Sequence, residues 1–297
     1  AHQHRLTRLA GDAAERATPT AFYTPDWVMA AAWQIITDFG TPAGPVLEPG
    51  CGSGRFIGCA PDGFTVHGVE ADPTSARIAR LLNPTATIYE NRLEQQPLPA
   101  GYVAAVGNVP YGGIKITDRS MSSPLSLHNY FLARSVRAVM PGGLVVALTS
   151  RFTLDAERDW TGREAIAEYA DLIGAVRLPN GAMRDAGTDV IADLIVLRRR
   201  DDVKADYDNS WTVSDSYHHI AHHGVRRDIV PGFRLPVHAT FADPTLVLGT
   251  LTGTTSGRYG NDPELVVRND GNPADQMRAA VSTILRRLRG HKPPAAP

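Results

Sequence analysis

Short apolar runs alternate with helix-like amphipathic segments from residue 45 to about residue 200, and this alternation constrains the fold more than any other feature. Strands that alternate with helices need crossover connections, and these produce a largely parallel sheet. The apolar runs are residues 46–47, 65–69, 86–89, 102–106, 144–148, 172–178 and 191–197. We therefore predict an α/β fold with about seven mostly parallel strands and helices on both faces. Its ligand should lie beyond the carboxyl ends of the strands.

Composition divides the chain into three segments. Residues 1–20 are polar and charged without an apolar period, so we predict a helical or frayed lead-in segment. Residues 21–200 carry the alternating pattern and form the predicted main domain. Residues 201–297 begin with a stretch rich in Asp, His, Gly, Pro and Thr and then regain a helical pattern at 277–288. This last segment is small for an independent domain, and we interpret it as an irregular C-terminal extension.

Charge and cysteine content exclude several classes of protein. The 30 basic and 31 acidic residues give a formal charge of −1, which excludes a histone-like electrostatic binder. Cys51 and Cys59 are the only cysteines, so a disulfide framework is not expected and a cytoplasmic location is predicted. The longest apolar run is far short of the ~20 residues of a membrane helix, so no membrane partner is expected.

A glycine-rich turn, EPGCGSG at residues 48–54, follows the first predicted strand. Glycines let a ligand approach the backbone closely, and the start of a helix offers unpaired N–H groups. The next strand ends at Glu70, where a carboxylate can hold both hydroxyls of a ribose. Asp72 is the expected N-cap of a helix that begins at Pro73. A purely structural turn is the alternative.

The sequence GNVPY at residues 107–111 ends the fourth predicted strand. The Asn108 side-chain oxygen and the Val109 carbonyl can form two acceptors that face one amino group. Pro110 restrains the backbone before it, which holds that carbonyl in a fixed direction. Tyr111 can stack on the ring that bears the amino group. The alternative is a tight turn with a buried tyrosine.

Read in order, four motifs resemble those of the DNA amino-methyltransferases. They are FYTP at 22–25, LEPGCGSG at 47–54, GVE at 68–70 and NVPY at 108–111. Their order resembles the gamma-type adenine-N6 group, in which the methionine-binding motif comes first. Residues 126–131 (SLHNYF), 141–143 (PGG) and 177–180 (RLPN) resemble the methylase portion of large helicase–methylase proteins of phages, mobile elements and antiphage systems. The resemblance implies a Rossmann-like class I S-adenosylmethionine-dependent methyltransferase that methylates adenine N6 in DNA, in restriction-modification or phage defence.

The resemblance also assigns the cofactor site. The first motif would hold the methionine end of S-adenosylmethionine, with Thr24 as the N-cap of a helix and Pro25 at its first position. A helix N-terminus suits the methionine carboxylate. Glu48 would line the same end, Glu70 would hold the ribose, and the adenine-contacting position falls near Asn91. The predicted cofactor-binding residues are Tyr23, Thr24, Pro25, Glu48, Pro49, Gly50, Gly52, Glu70, Ala71 and Asn91.

The predicted catalytic residues are Asn108, Val109, Pro110 and Tyr111. The N6 lone pair of adenine is delocalised, and two acceptors can draw its hydrogens out of plane so that electron density points at the methyl group. An adenine in a duplex must first be flipped out, with Tyr111 replacing the lost stacking. The family more often has proline where Val109 stands. Because the acceptor is a backbone carbonyl, we expect activity to survive this change.

Two further residues, Asn180 and Met183, are predicted to contact the substrate. The family often places an aromatic ring on the second face of the flipped base, and the aligned residue here is Met183. Its thioether would press on the base. An ordinary core methionine is the alternative.

DNA is the predicted partner, together with a helicase or target-recognition unit in a fused domain or separate subunit. Basic clusters at 198–200, 226–227 and 286–289 are candidate phosphate contacts, with a solvated face as the alternative for each. The histidine pairs within residues 218–223 lack a neighbouring cysteine or carboxylate, so a polar loop is favoured over a metal site and no metal is expected.

Four alternative functions remain open. Adenine in RNA and glutamine in a protein are methylated with similar chemistry, although the FYTP motif favours DNA because the glutamine enzymes carry a different N-terminal domain. Cytosine-N4 enzymes more often have serine where Asn108 stands. The fourth alternative is a DNA- or cofactor-binding module that has lost turnover within a larger assembly.

Overall fold

A seven-stranded sheet lies at the centre of the molecule in the computed structural model, which describes residues 24–183, 190–203, 210–212, 235, 237–254 and 264–296. The strands are β1 (Gly44–Pro49), β2 (Phe64–Glu70), β3 (Thr87–Glu90), β4 (Tyr102–Asn108), β7 (Val139–Ser150), β8 (Ala170–Arg177) and β9 (Ala192–Arg199). Their order in the sheet is β3-β2-β1-β4-β7-β9-β8, in which β9 runs opposite to the other six strands. All seven predicted strands are present, and the predicted α/β fold is confirmed.

Helices connect the parallel strands and cover the sheet. They are α1 (Asp26–Asp38), α2 (Arg55–Gly58), α3 (Pro73–Leu82), α4 (Leu127–Ala138), α5 (Phe152–Asp155), α6 (Trp160–Ala167) and α7 (Pro273–Leu288). Helices α1 and α7 pack against each other and the sheet, as do α4 and α6 in a separate pair. The α3 prediction is confirmed to the residue, because the Asp72 carboxylate accepts from the Ser75 N–H at 2.7 Å and Pro73 is the first helical residue. Within the described residues, no helix has the length and apolar character needed to span a bilayer.

Two small hairpins lie outside the main sheet. Strands β5 (Lys115–Ile116) and β6 (Leu125–Ser126) form the first, directly after the catalytic motif. Strands β10 (Thr250–Thr254) and β11 (Glu264–Arg268) form the second, within the C-terminal extension.

The described parts of the C-terminal extension pack onto the main domain. The Leu248 N–H donates to the Arg177 carbonyl at 2.9 Å, which continues the sheet beyond β8. Helix α7 lies on the same strand, so closely that a Cβ added to Gly174 would lie 2.7 Å from Ile284. The extension therefore covers the β8 edge of the sheet, and its apolar residues belong to the same core as those of the main domain.

A buried ion network joins the end of β8 to its surroundings. The fully buried Arg177 guanidinium contacts Asp193 through two hydrogen bonds of 2.9 and 2.8 Å and contacts Asp155 at 2.9 Å. The Asp155 carboxylate also accepts from the His238 N–H at 3.0 Å, and the Arg177 guanidinium stacks 3.9 Å from the centre of the Phe241 ring. A buried charge is tolerated only when it is paired and hydrogen-bonded, and two carboxylates provide this for Arg177.

The expectation of phosphate contacts for residues 198–200 is wrong. Because β9 is antiparallel, these arginines lie at the edge opposite the carboxyl ends of the parallel strands. Arg198 donates to the Lys292 carbonyl and to Asp201, Arg199 to the carbonyls of Arg137 and Val139, and Arg200 to Asp171. They therefore tie chain segments together on the far side of the sheet.

Of the other two basic clusters, residues 226–227 lie outside the described residues. In the third cluster, Arg287 is bonded to Ile173 and Asp243.

Replacing Asp193 with alanine should strongly destabilise the protein. The change leaves part of the buried Arg177 charge uncompensated, so the free energy of unfolding should fall by about 3–5 kcal/mol in urea denaturation. Asp275→Ala is the matched control because it breaks the exposed ion pair with Arg278, which should change stability by less than about 1 kcal/mol. Equal effects of the two changes would contradict the assigned role of the buried network.

Candidate cofactor and substrate site

The predicted site residues converge at one edge of the sheet. Strands β1, β2 and β4 are parallel neighbours, so Pro49, Glu70 and Asn108 end their strands at the same edge. In the sheet, β2 and β3 lie on one side of β1, whereas β4 lies on its other side. The direction in which successive strands are added therefore reverses between β1 and β4. Crevices at such reversals are where doubly wound sheets bind ligands.

The glycine loop takes a conformation that side chains oppose. Gly52 and Gly54 have φ angles of +52° and +81°, in the left-handed region. A Cβ on Gly54 would also lie 2.5 Å from the Asn83 side-chain nitrogen. The helix that follows, α2, is a single turn. The loop therefore follows β1 as a tight turn, and the N–H groups of Gly50, Cys51, Gly52 and Gly54 are bonded within the protein.

Glu70 connects this loop to the second strand. Its two carboxylate oxygens accept from the N–H groups of Gly52 and Asp72, both at 2.8 Å. Burial raises the pKa of the Glu70 carboxyl, and the two N–H donors oppose that shift. Each oxygen retains a further lone pair, so the carboxylate can accept from two hydroxyls while it holds the loop.

The start of α1 lies against the same loop. The Arg55 guanidinium donates to the Thr24 carbonyl at 2.5 Å and to the Asp26 carboxylate at 2.6 Å. The predicted N-cap is wrong by one residue: Pro25 is the N-cap, and its carbonyl accepts from the Val28 and Met29 N–H groups. Thr24 is buried just before it. Tyr23 lies outside the described residues.

Glu48 is a buried carboxyl group between the glycine loop and the catalytic motif. Only 2% of it is exposed, and its Oε2 atom has no hydrogen-bond partner among the described residues. A Cβ added to Gly107 would lie 3.2 Å from the Glu48 Cγ, so glycine is needed for this close approach. Burial raises the pKa of Glu48 well above its ordinary value, and the nearby Glu70 charge adds to the shift. A backbone hydrogen bond from Ile57 opposes this shift. A buried carboxyl with one unpartnered oxygen is suited to a cationic ligand group.

The catalytic motif continues from β4. The Asn108 Oδ1 atom is buried and has no hydrogen-bond partner within the part of the chain that the structure describes. The Val109 N–H donates to the Leu148 carbonyl at 3.0 Å, which fixes the backbone that carries the second predicted acceptor. Burial raises the pKa of Tyr111 to about 12, so its phenol stays neutral. The motif therefore presents a neutral acceptor and a neutral aromatic ring.

Phe131 is a site residue that the sequence reasoning did not single out. A Cβ added to Gly50 would lie 3.2 Å from the Phe131 ring and 3.5 Å from Pro110. The Phe131 ring on α4 and Pro110 of the predicted catalytic motif thus both lie against Gly50 of the glycine loop. The signal was the SLHNYF segment, but its composition alone does not reveal which of its aromatic residues faces the site.

Polar residues of the same segment anchor α4. The Ser126 hydroxyl and the Asn129 amide donate to the Asp159 carboxylate at 2.7 and 2.8 Å. These bonds tie the start of α4 to the turn before α6. Burial lowers the pKa of the neighbouring His128 to about 4, so it is neutral at physiological pH.

Asn180 and Met183 follow the carboxyl end of β8. The Asn180 side-chain oxygen accepts from the Val267 N–H at 2.6 Å, and its own N–H donates to the Val267 carbonyl at 2.8 Å. This pair of bonds docks β11 onto the end of β8. Met183 is 1% exposed and packs in the core. The contacts of both residues with substrate remain predictions.

Asn91 follows β3 next to Glu70, because its N–H donates to the Glu70 carbonyl at 2.9 Å. The preceding carboxylate, Glu90, pairs with Arg80 at 2.9 Å on the surface. Asn91 is therefore positioned beyond the same strand edge as Glu70, the predicted ribose ligand. Ala71 is exposed beside it.

The described residues contain no group of three or more His, Cys, Asp or Glu side chains arranged to hold a metal ion. The histidine pairs at 218–223 lie outside the described residues. Burial raises the pKa of the Cys51 thiol, with help from the Glu48 and Glu70 charges, so this cysteine in the glycine loop is a poor nucleophile.

Comparison with known proteins agrees with the resemblance seen in the sequence motifs. No protein-family model matches the chain. The chain is 26% identical over 200 residues to the defence against restriction protein B of Escherichia phage P1. This match covers 65% of this chain and 9% of the phage protein. It is 35% identical over 102 residues to the type II methyltransferase M.XamI of Xanthomonas campestris pv. amaranthicola, covering 31% of this chain and 19% of that enzyme. The resemblance to methylases of phages and restriction-modification systems is confirmed. The chain spans less than a fifth of either relative.

Solved structures show the same architecture. The methyltransferase subunit of a type I restriction-modification system from Streptococcus thermophilus aligns over 90% of this chain and 54% of its own length, with a TM-score of 0.55 and 12% identity. A class I S-adenosylmethionine-dependent methyltransferase from Listeria monocytogenes aligns over 62% of each chain, with a TM-score of 0.51 and 16% identity. This chain has the class I S-adenosylmethionine-dependent methyltransferase fold.

S-adenosylmethionine is the cofactor of proteins with this fold, and the polar groups at the strand edge fit it. Glu70 offers lone pairs for the ribose hydroxyls, and the unpaired Glu48 oxygen suits the α-ammonium group of the methionine end. The glycine loop leaves room for close backbone contact.

Glu48→Gln should make the ligand-free protein less sensitive to rising pH. The folded-state pKa of Glu48 is raised, so its contribution to stability is full below the unfolded pKa near 4.5 and is lost as pH rises through the folded pKa. Glutamine does not titrate. The variant should therefore gain stability relative to wild type by about 1.4 kcal/mol per pH unit within that window. Thermal or urea unfolding at pH 5, 6.5 and 8 measures this.

The exposed Glu157 provides the matched control. Glu157→Gln should leave the pH dependence of unfolding unchanged. A Glu48→Gln difference that stays constant from pH 5 to 8 would show that the Glu48 carboxyl is not desolvated in the folded protein.

Proposed function

We propose that the chain transfers a methyl group from S-adenosylmethionine to the N6 atom of adenine in DNA, as a modification enzyme of restriction-modification or phage defence. The observation that carries the proposal is the buried Asn108 oxygen, which has no hydrogen-bond partner among the described residues and lies at the strand edge beside the cofactor loop. A buried acceptor without a donor is costly, and a substrate amino group would supply that donor.

The chemistry follows from the positions of the acceptors. The Asn108 oxygen and the Val109 carbonyl would each accept one N6 hydrogen, which turns the nitrogen lone pair out of the ring plane. When bound, S-adenosylmethionine supplies a sulfonium-activated methyl group. The N6–carbon bond forms as the sulfur–carbon bond breaks, and N6 then loses a proton to water. Positioning supplies most of the rate, because Asn108 is neutral and no strong base is required.

The target adenine must leave the base stack to meet these acceptors, so we propose base flipping. Tyr111 follows Pro110 directly and has a neutral ring that can stack on the flipped base. Phe131 would support the other side of the motif, because its ring lies against Gly50 and close to Pro110.

DNA is favoured over RNA or a protein glutamine by the first motif and by the relatives. The Thr24 end of α1 lies against the glycine loop through Arg55, as the methionine-first motif order requires. The sequence relatives include a type II methyltransferase and a phage protein of defence against restriction. We place the protein in the cytoplasm, where such systems modify DNA.

We also propose that sequence choice depends on a further unit. The matched region is 9% of the phage relative, and structural neighbours include subunits of type I restriction-modification systems. A helicase or target-recognition unit, fused or separate, would select the DNA site. The described part of the extension is occupied by packing onto β8, which favours this division of labour.

Asn108→Ala should abolish methylation while cofactor binding persists. Unmethylated genomic DNA is incubated with the protein and S-adenosylmethionine, then digested, and N6-methyladenosine is measured by mass spectrometry. Loss of one preorganised polar contact to the reacting group should lower the product rate at least about 100-fold. Product from the variant at the wild-type rate would rule out Asn108 as the acceptor.

Val109→Ala is the matched control in the same motif. It preserves the backbone carbonyl and the N–H that donates to the Leu148 carbonyl, so activity should stay within a few-fold of wild type. If DNA is not methylated but RNA adenine or a protein glutamine is, the substrate is one of these two alternatives.

Glu70→Ala should weaken cofactor binding. The change removes a charged acceptor for the ribose hydroxyls and two hydrogen bonds to the loop, so affinity for S-adenosylhomocysteine should fall at least about tenfold by calorimetry. Glu90→Gln, one strand away and paired with Arg80, is the control and should bind normally. Unchanged affinity in Glu70→Ala would exclude the ribose role.

A further inference from the structure

Three of the five most exposed large apolar residues in the described part of the chain lie at the edge that carries the predicted site. The five are Leu81, Ile114, Phe152, Trp160 and Val203. Leu81 lies in the last turn of α3 and Val203 follows β9, so both lie at the opposite edge. The other three follow the carboxyl ends of β4 and β7. Single exposed apolar residues are common, but a group at one functional edge indicates a binding surface.

Phe152 occupies a defined position relative to the catalytic motif. Strand β7 lies beside β4, with Leu148 opposite Asn108 and its carbonyl bonded to the Val109 N–H. Phe152 comes four residues later, so its Cα lies within about 20 Å of the Asn108 Cα. Its side chain is 46% exposed. A DNA strand that delivers a base to Asn108 would pass within reach of this ring.

Arg151 holds the ring in place and gives it a positive neighbour. Its guanidinium lies 4.3 Å from the centre of the Phe152 ring. The same guanidinium contacts the buried Asp155 carboxylate at 3.4 Å, and Asp155 is fixed in turn by Arg177. The exposed ring therefore rests on a buried ion network and is preorganised to receive another aromatic group.

We propose that Phe152 is a stacking residue for a nucleobase of the bound DNA strand, and that Arg151 positions its ring and attracts the strand. The inference rests on the proposed function in taking DNA as the partner. The Phe152 ring has the Arg151 guanidinium beside it and is also partly exposed, which suits an arrangement of cation, ring and base. Proteins hold unpaired bases without sequence preference by stacking them on aromatic residues.

A pair of oligomers with equal charge tests the proposal. The 297-residue chain is titrated with a fluorescent 30-nucleotide deoxyadenylate and with a 30-nucleotide abasic strand of the same phosphate number. Wild type should bind the deoxyadenylate more tightly. Phe152→Ala should weaken deoxyadenylate binding by about 5- to 100-fold and leave abasic binding unchanged. Phe152→Trp should retain the preference because it keeps an aromatic face.

Phe152→Leu keeps an apolar side chain without a ring, so it tests stacking even if the alanine variant folds poorly. It too should reduce the preference, and the remainder comes from Tyr111 and Asn108. Leu81→Ala, an exposed apolar change at the opposite edge, is the matched control and should behave as wild type. Equal wild-type affinity for both oligomers, or an undiminished preference in Phe152→Leu, would overturn the inference and assign the exposed ring to a protein contact.

The outcome is separable from that of the proposed function. Methylation of genomic DNA together with an unchanged base preference in Phe152→Leu would reject the stacking role alone. A base preference that depends on the ring, in a protein that forms no N6-methyladenosine, would reject the reaction and retain the stacking role.

Discussion

The reversal of strand order between β1 and β4 is the constraint on which the site depends. Connections leave these neighbouring parallel strands in opposite directions, so a crevice opens beyond their carboxyl ends. The glycine loop enters it from β1 and the Asn108 motif from β4. The close approach of Glu48 to Gly107 across the two strands brings a buried carboxyl beside the motif, where a larger residue than glycine would separate them. Residues sixty positions apart thus share one site because of strand pairing.

Burial then determines the electrostatics of that site. Glu48, Glu70 and Cys51 all have raised pKa values because they are desolvated, and the Glu70 charge adds to the shift of Glu48. A cationic ligand would relieve this cost. Beyond β7 and β8 the charge is organised differently, since Arg177 is neutralised by Asp155 and Asp193 within the core. That network supports Arg151 and binds the extension through His238, so stability and the proposed DNA-facing surface share the same groups.

Much of the fold was predictable because the signals are local. The apolar runs specified all seven strands, and Asp72-Pro73 specified the start of α3, since capping and proline geometry act within a few residues. The errors arose where distant contacts decide. Residues 198–200 looked like a basic patch, but the antiparallel direction of β9 places them at the far edge among carbonyls and carboxylates. Helix α1 begins one residue later than predicted, and the Thr24 carbonyl that was expected to cap it accepts from Arg55 instead.

By itself, the sequence determined the strand and helix pattern, the glycine loop and the order of the motifs, because hydrophobic period, turn chemistry and short motifs are properties of neighbouring residues. Only the tertiary structure decided which groups meet. It joined Glu70 to Gly52, placed Phe131 against Gly50, buried Met183, and used Asn180 to dock β11. It also left Phe152 exposed above a buried ion network. The physical reason is that burial, pairing and exposure depend on contacts between residues far apart in the chain, which no local pattern specifies.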